Sequence, residues 1–415
     1  MRDIQLIELH RSGVGMNYGC LTLLNVLILV ANRDYTYWAG DWHATSIAIA
    51  FPVVIMAPVA AALAAYQGLR RQRFGVRQLE ETMPLPPWRP MLLQWAILTT
   101  AALAAYLTGA LVAAGITLSN APQGPVWVSF PLLGAAALAV AVAVGLWTGR
   151  MLATRWSPAL AGVVVLAWFL TLSRAPEHLQ RLALLQVDVF SPPDKRLSTP
   201  ILILSLVFAV LLDAALILLQ GRAQRLTTQV TAGILAVAAA VALVGFPGST
   251  LVARAPRSPV CAGAQPRVCL WPEHAKWVPL AGEVAGRLSA ALPSAFPAGT
   301  TYAEAGLSEA AGSEFTLKRG PVSRISMADS LATTILPRVP PECVRDDRAS
   351  FRNYVLLHAW LQQKGAGAVD SNLGVTPDQM AELEALPLWE QRSWVDQAVT
   401  AVHACTPLPA PPSSP

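Results

Sequence analysis

Asp213 is the one acid that lies well inside a long apolar run of this chain, seven residues before Gln220. A carboxylate at membrane depth is costly and normally faces a bundle interior or a watery cavity. Two roles stay open for it. One is a structural polar pair, with Arg222 or Arg225 at the same end of the run snorkelling toward it. The other is a place on a transport path. Asn25 and Gln94 are milder polar intrusions of the same kind, suited to hydrogen bonds between neighbouring helices.

A second group with chemistry lies in Cys269-Leu-Trp-Pro-Glu-His274, where Glu273 and His274 could act as a pair of metal ligands. The histidines nearer the C-terminus, His358 and His403, have no ligand-like spacing with them, which favours structural roles and no metal. The cysteines are more informative. Cys20 lies in the first apolar run, whereas Cys261, Cys269, Cys343 and Cys405 all fall after residue 250. Four cysteines permit three pairings, of which Cys261–Cys269 with Cys343–Cys405 is favoured; an even set of this kind suits an oxidising compartment. Four free thiols in a cytoplasmic domain are the alternative.

The third group is the spacer Gly68-Leu-Arg-Arg-Gln-Arg-Phe-Gly-Val-Arg-Gln-Leu-Glu-Glu-Thr-Met83. It can form a basic amphipathic helix with Leu69, Phe74 and Leu79 as its main apolar residues, stopped by Pro84, Pro86 and Pro87. Such a helix can rest on anionic lipid or dock in a partner's groove. Other signatures are missing. The chain has no G-x-x-x-x-G-K-[ST] loop for nucleotide phosphates, no H-E-x-x-H and no G-x-S-x-G elbow. Neither an enzyme nor a cofactor is expected, and no basic patch interleaved with aromatics points to nucleic acid.

The elements that must position these residues follow from composition. Of 415 residues, 54% are hydrophobic and only 13% charged, with a formal net charge of +5; soluble domains usually carry about 25% charge. A span needs roughly 20 mostly apolar residues, and seven candidates appear at about 16–32, 44–66, 91–117, 127–148, 157–173, 199–220 and 229–247. The first and fifth are short. Pro52 and Pro58 should kink the second. Gly145 and Gly149 form a small-residue pair at the end of the fourth. The N-terminus carries Asp3 and Glu8 and no clear cleavage site, so the first run reads as a retained signal anchor.

Arginines set the orientation. Arg70, Arg71, Arg73, Arg77 and Arg89 follow span two, Arg150 and Arg155 follow span four, and Arg222 and Arg225 follow span six. These fall on one side together with Arg2 and Arg11, which makes that side cytoplasmic. The opposite loops hold Arg33, Arg174, Arg181, Lys195 and Arg196. An N-terminus inside and seven crossings put the C-terminal domain, 251–405, outside. Helical patterns at about 277–292, 326–336, 348–363 and 388–404 make that domain α-rich, with short strands conceivable at Val268 to Leu270 and Phe315 to Leu317. The expected fold is therefore all-α: a polytopic helical membrane bundle over 1–250, a small α-rich extracytoplasmic domain, and a disordered tail over 406–415.

A short amphipathic segment, Ile4 to Gly15, precedes a two-span hairpin, the basic spacer and a long third span. In this order the chain resembles ABC-2-type exporter permeases of bacteria, whose corresponding spacer runs arginine, glycine, an acidic helix, then "TxP". In that family the spacer is the coupling helix that seats on a separate ATPase subunit. The resemblance implies that Arg73, Gly75, Leu79, Glu80, Thr82 and Pro84 make this contact, with Phe74 on the same helix, and that membrane subunits pair as homo- or hetero-dimers. The stretch Val268 to His274 also looks like a segment of high-GC bacterial membrane proteins encoded as transporter components. The family's usual six spans and its lack of an outer domain are the departures.

Overall fold

A computed structural model describes residues 14–31, 38–73, 88–120, 124–185, 194–219, 226–254, 259–263, 265–307, 313–317, 322–337 and 340–412. The chain divides into two units, Met1–Val252 and Ala253–Pro415.

In the first unit the apolar runs form helices α1 (Val14–Ala31), α2 (Trp42–Ala50), α3 (Val53–Arg73), α4 (Trp88–Ser119), α5 (Ser129–Leu152), α6 (Ser157–Ser173), the one-turn α7 (Glu177–Gln180), α8 (Thr199–Leu219) and α9 (Leu226–Gly245). Taking α2 and α3 as one bent segment, five helices are long and apolar enough to cross a membrane. The remaining two apolar helices, Asn17–Ala31 and Ser157–Ser173, are shorter. They correspond to the first and fifth expected spans.

Proline explains the bend. Pro52 has no N–H to continue the helix, so α2 ends at Ala50 and α3 restarts with Val54 N donating to Phe51 O at 3.1 Å and Met56 N to Pro52 O at 2.8 Å. Pro58 is accommodated inside α3. Glycine explains a close helix crossing in the unit. A Cβ on Gly145 would lie 2.1 Å from Ala61 O, and one on Gly149 would lie 2.2 Å from Ala65 O. α5 thus packs backbone to backbone on α3, as small residues permit. A two-stranded sheet of β1 (Lys195–Leu197) and β2 (Leu251–Ala253) joins the segments before α8 and after α9.

The second unit corrects the all-α expectation. It contains a four-stranded sheet in the order β3 (Val260–Ala262), β4 (Arg267–Leu270), β5 (Thr301–Glu304), β6 (Ser313–Phe315). β3 and β4 are antiparallel with Cys261 opposite Cys269, whereas β5 runs parallel to both β4 and β6. Strands of three or four residues are too short for alternation to stand out in a sequence. Helices α10 (Val278–Ala291), α11 (Arg324–Ala332), α12 (Glu342–Arg345), α13 (Arg348–Ala366), α14 (Pro377–Glu384) and α15 (Leu388–Ala404) complete the unit. Its core joins Val268, Leu270, Leu288, Phe315, Trp360 and Trp394. Asp347 caps α13, accepting from Ala349 N and Ser350 N, and Gly367 closes it at φ +76°.

Of the tail expected to be disordered, 413–415 lie outside the described residues. Residues 406–412 carry no regular structure, yet they are tied down: Asn353 Nδ2 donates to Leu408 O and Pro409 O, Trp394 Nε1 donates to Pro409 O, and Leu408 is buried.

Candidate functional site

Of the expected coupling-helix residues, Arg73 is the last residue of α3; Phe74, Gly75, Leu79, Glu80, Thr82 and Pro84 lie outside the described residues. Asp213 sits two turns before the end of α8 and is 7% exposed. α8 packs mainly on α9 and α5, and Asp213 Oδ1 has no hydrogen-bond partner among the described residues. Arg222 and Arg225, its suggested partners, lie outside them. Asn25 is an inter-helix clasp: its Nδ2 donates to Ala105 O at 3.1 Å and Tyr106 O at 3.2 Å, joining α1 to α4. Gln94 accepts from Arg150 Nη2 at 2.6 Å, joining α4 to α5.

From the sequence Arg181 reads as a loop charge; in the structure it is buried. It donates through Nη1 to Leu243 O at 3.2 Å and Phe246 O at 2.8 Å, through Nη2 to Gly248 O, and through Nε to Thr250 Oγ1 at 3.2 Å. Those carbonyls belong to the end of α9 and the turn after it, where a helix leaves its last C=O groups without partners. A cation also opposes the negative end of the helix dipole. Glu177 completes the arrangement by accepting from Thr250 N at 2.5 Å. That N–H holds its carboxyl below the usual range, with the Thr250 hydroxyl and the charges of Arg181 and Lys195 acting in the same direction against desolvation. Only the order of elements along the chain, with α7 placed long before α9, hid this cap from the sequence.

In the second unit the Glu273–His274 pair does not act together. Trp271 follows β4, and Pro272 opens a 3₁₀ turn over Pro272–Trp277 that turns the two side chains toward different partners. Glu273 Oε1 accepts from Arg254 Nη2 at 2.7 Å, and both side chains are buried. His274 Nδ1 meets Glu304 Oε1 on β5 at 2.7 Å, while Glu304 Oε2 accepts from Trp271 N at 3.1 Å. The Arg254 guanidinium lies 4.7 Å over the Trp271 ring, and His274 packs on Trp277 at 4.9 Å. No group of three or more His, Cys, Asp or Glu that could hold a metal occurs among the described residues. His358 faces Asp329 at 3.4 Å, and His403 Nε2 lies 2.8 Å from Ile335 O.

Both favoured cysteine pairs are joined. Cys261 and Cys269 bridge β3 and β4 with Cα atoms 4.1 Å apart, beside Trp271, Ala303 and Leu307. Cys343 of α12 is bonded to Cys405 just after α15, with Cα atoms 5.9 Å apart. Cys20 is free. The polar cluster therefore sits between the sheet, one disulfide and two tryptophans, where it orders the start of the unit.

A family model described as Domain of unknown function (DUF7224) matches residues 268–405. The match begins on β4, immediately before the Trp271–His274 turn, ends at the second cysteine of the Cys343–Cys405 pair, and leaves the apolar helices uncovered. No curated protein and no solved structure matches the chain.

Proposed function

We propose that this chain is the membrane subunit of an ABC-type exporter, moving its substrate with energy from a separate ATPase subunit. The observation that carries the reading is the basic, proline-stopped spacer Gly68–Pro84. It connects two helices long and apolar enough to cross a membrane in a chain that has no ATP-binding loop. In this reading the spacer is cytoplasmic and seats on the ATPase, and the membrane subunits pair with themselves or a related chain. Residues 251–405 lie outside the bacterial cell membrane. The burial of Arg181 supports that orientation, since it leaves one fewer loop cation on the outer side. The reading requires the short helix Ser157–Ser173 to cross, because five spans then separate the spacer from residues 251–405 and put the two on opposite sides, whereas four would leave them on the same side.

Co-purification tests it. An ATPase should accompany the wild-type chain and be lost from a Phe74→Asp, Leu79→Asp double variant of unchanged abundance. A complex from native membranes that contains no ATPase sinks the proposal.

A second reading is favoured by one specific observation: the C-terminal unit has its own core and both disulfides, and the family match falls wholly on it. The helices would then anchor an extracytoplasmic binding or assembly protein. Deleting residues 255–415 separates the two, because transport that persists without them excludes the second.

A further inference from the structure

Helices α1 and α4 leave a groove of about 450 Å³ between them. Gly15 and Tyr18 form one wall, and Ala96, Thr100 and Ala104 line the other. Among the described residues nothing closes its α1 edge, where a Cβ on Gly15 would meet no atom within 4 Å. The lining is apolar apart from hydroxyls, and the Tyr18 hydroxyl is already engaged with Thr108 Oγ1 at 3.0 Å. The few hydroxyls offer little to hold water, and α4, which forms one wall, is long and apolar enough to cross a membrane. This step rests on the membrane character of the unit and not on any transport reading.

The groove does not end in an apolar surface. Arg89, Leu93, Ala96 and Thr100 recur at i, i+4, i+7 and i+11, so they lie along one face of α4. Arg89, Leu93 and Thr100 are exposed on that face. Arg89 stands at the start of α4 with its guanidinium 5.7 Å over the Trp88 ring, the pairing of cation and indole that suits a lipid headgroup level. At 1.5 Å per residue the groove begins about 10 Å beyond Arg89 and ends about 22 Å beyond it. Its own length of about 12 Å fits inside one leaflet of a hydrocarbon core about 30 Å thick.

We propose that this groove binds one acyl chain of a phospholipid whose anionic headgroup is held by Arg89. Charge selects the occupant: among the described residues a cation, Arg89, is exposed at the headgroup end of the groove, and a cation beside a membrane surface favours anionic lipid.

The test uses the full chain reconstituted in lipid nanodiscs containing either phosphatidylglycerol or phosphatidylcholine with a photoactivatable acyl chain. Cross-links should concentrate at residues 15–18 and 96–104, above the labelling of the exposed α9 face at Val237 and Val241. Phosphatidylglycerol should be preferred by about fivefold, and Arg89→Gln should remove that preference. Thr100→Phe should block groove labelling while α9 labelling persists. Because Thr100 is exposed, the change does not enter the core, and Thr100→Leu serves if the larger side chain impairs expression. Three outcomes overturn the proposal: equal labelling of the groove and α9, labelling indifferent to residue 100, or efficient disulfide formation between Thr100→Cys chains, which would put a second copy in the groove. Absence of labelling on every helix would overturn it together with the membrane reading.

Discussion

Asn25 of α1 is buried directly against Gly109 of α4, so closely that a Cβ on the glycine would lie 2.1 Å from Asn25 Nδ2. The amide can reach the α4 carbonyls only because residue 109 has no side chain. Gly109→Ala should therefore destabilise the unit by about 1–3 kcal/mol, the usual range for overpacking. Asn25→Ala should cost less, about 0.6–2 kcal/mol, as a lost inter-helix hydrogen bond. The clash lies with a side chain, so the double variant should be more stable than Gly109→Ala alone. Thermal unfolding in detergent reads the three values; simple additivity would rule out this contact.

The cap of α9 makes stability depend on pH. Glu177 has a folded-state pKa below its ordinary value of 4.5. The sign follows: its contribution is present above the unfolded-state value and is lost as pH falls through the depressed folded one. Unfolding followed from pH 7 downward should show a loss of stability below about pH 4.5 that is smaller in Glu177→Gln. Arg181→Gln should be far worse at every pH, since each carbonyl left buried without a donor costs about 1–3 kcal/mol. A variant at residue 181 that melts like the wild type would refute the cap.

Thiol labelling checks the cysteine chemistry. The denatured, unreduced chain should take one maleimide, at Cys20, and the reduced chain should take five. Cys343→Ser should destabilise the second unit by about 4 kcal/mol, because its bridge closes a long loop, against about 2.5 kcal/mol for Cys261→Ser. More than one reactive thiol before reduction would contradict the pairing.

The Arg254–Glu273 pair should behave as a buried ion pair. Replacing either residue alone by methionine strands a charge and should cost about 3–5 kcal/mol. Replacing both should be milder than either single change. Denaturation of the four proteins gives the coupling directly, and a double variant no better than the singles would mean that the two residues act separately.

Sequence legibility followed the length scale of each signal. Long apolar runs stand out over twenty residues, and the effect of Pro52 on α2 and α3 is a local consequence of a missing donor. The closeness of Gly145 and Gly149 to a neighbour was readable as a spacing, although the identity of that neighbour, α3, was not. What stayed hidden depends on contacts distant in the chain. Arg181 looks like any loop arginine until the end of α9, more than sixty residues later, is placed against it. Glu273 and His274 look like a ligand pair because adjacency in sequence says nothing of a 3₁₀ turn that sends them to Arg254 and Glu304. Leu408 and Pro409 sit in a stretch whose composition reads as disorder, and residues distant in the chain, Ser350, Asn353 and Trp394, order it.

The contact of Gly145 and Gly149 with Ala61 and Ala65 has a mechanical consequence. Where main chain meets main chain there are no rotamers to exchange, so sliding by even a fraction of a helical turn would drive a Cα into a carbonyl. α3 and α5 must travel together as a stiff spine. Any conformational cycle of the membrane unit is left to seams held by side chains, such as the Asn25 clasp, where a changed rotamer can open and close a joint.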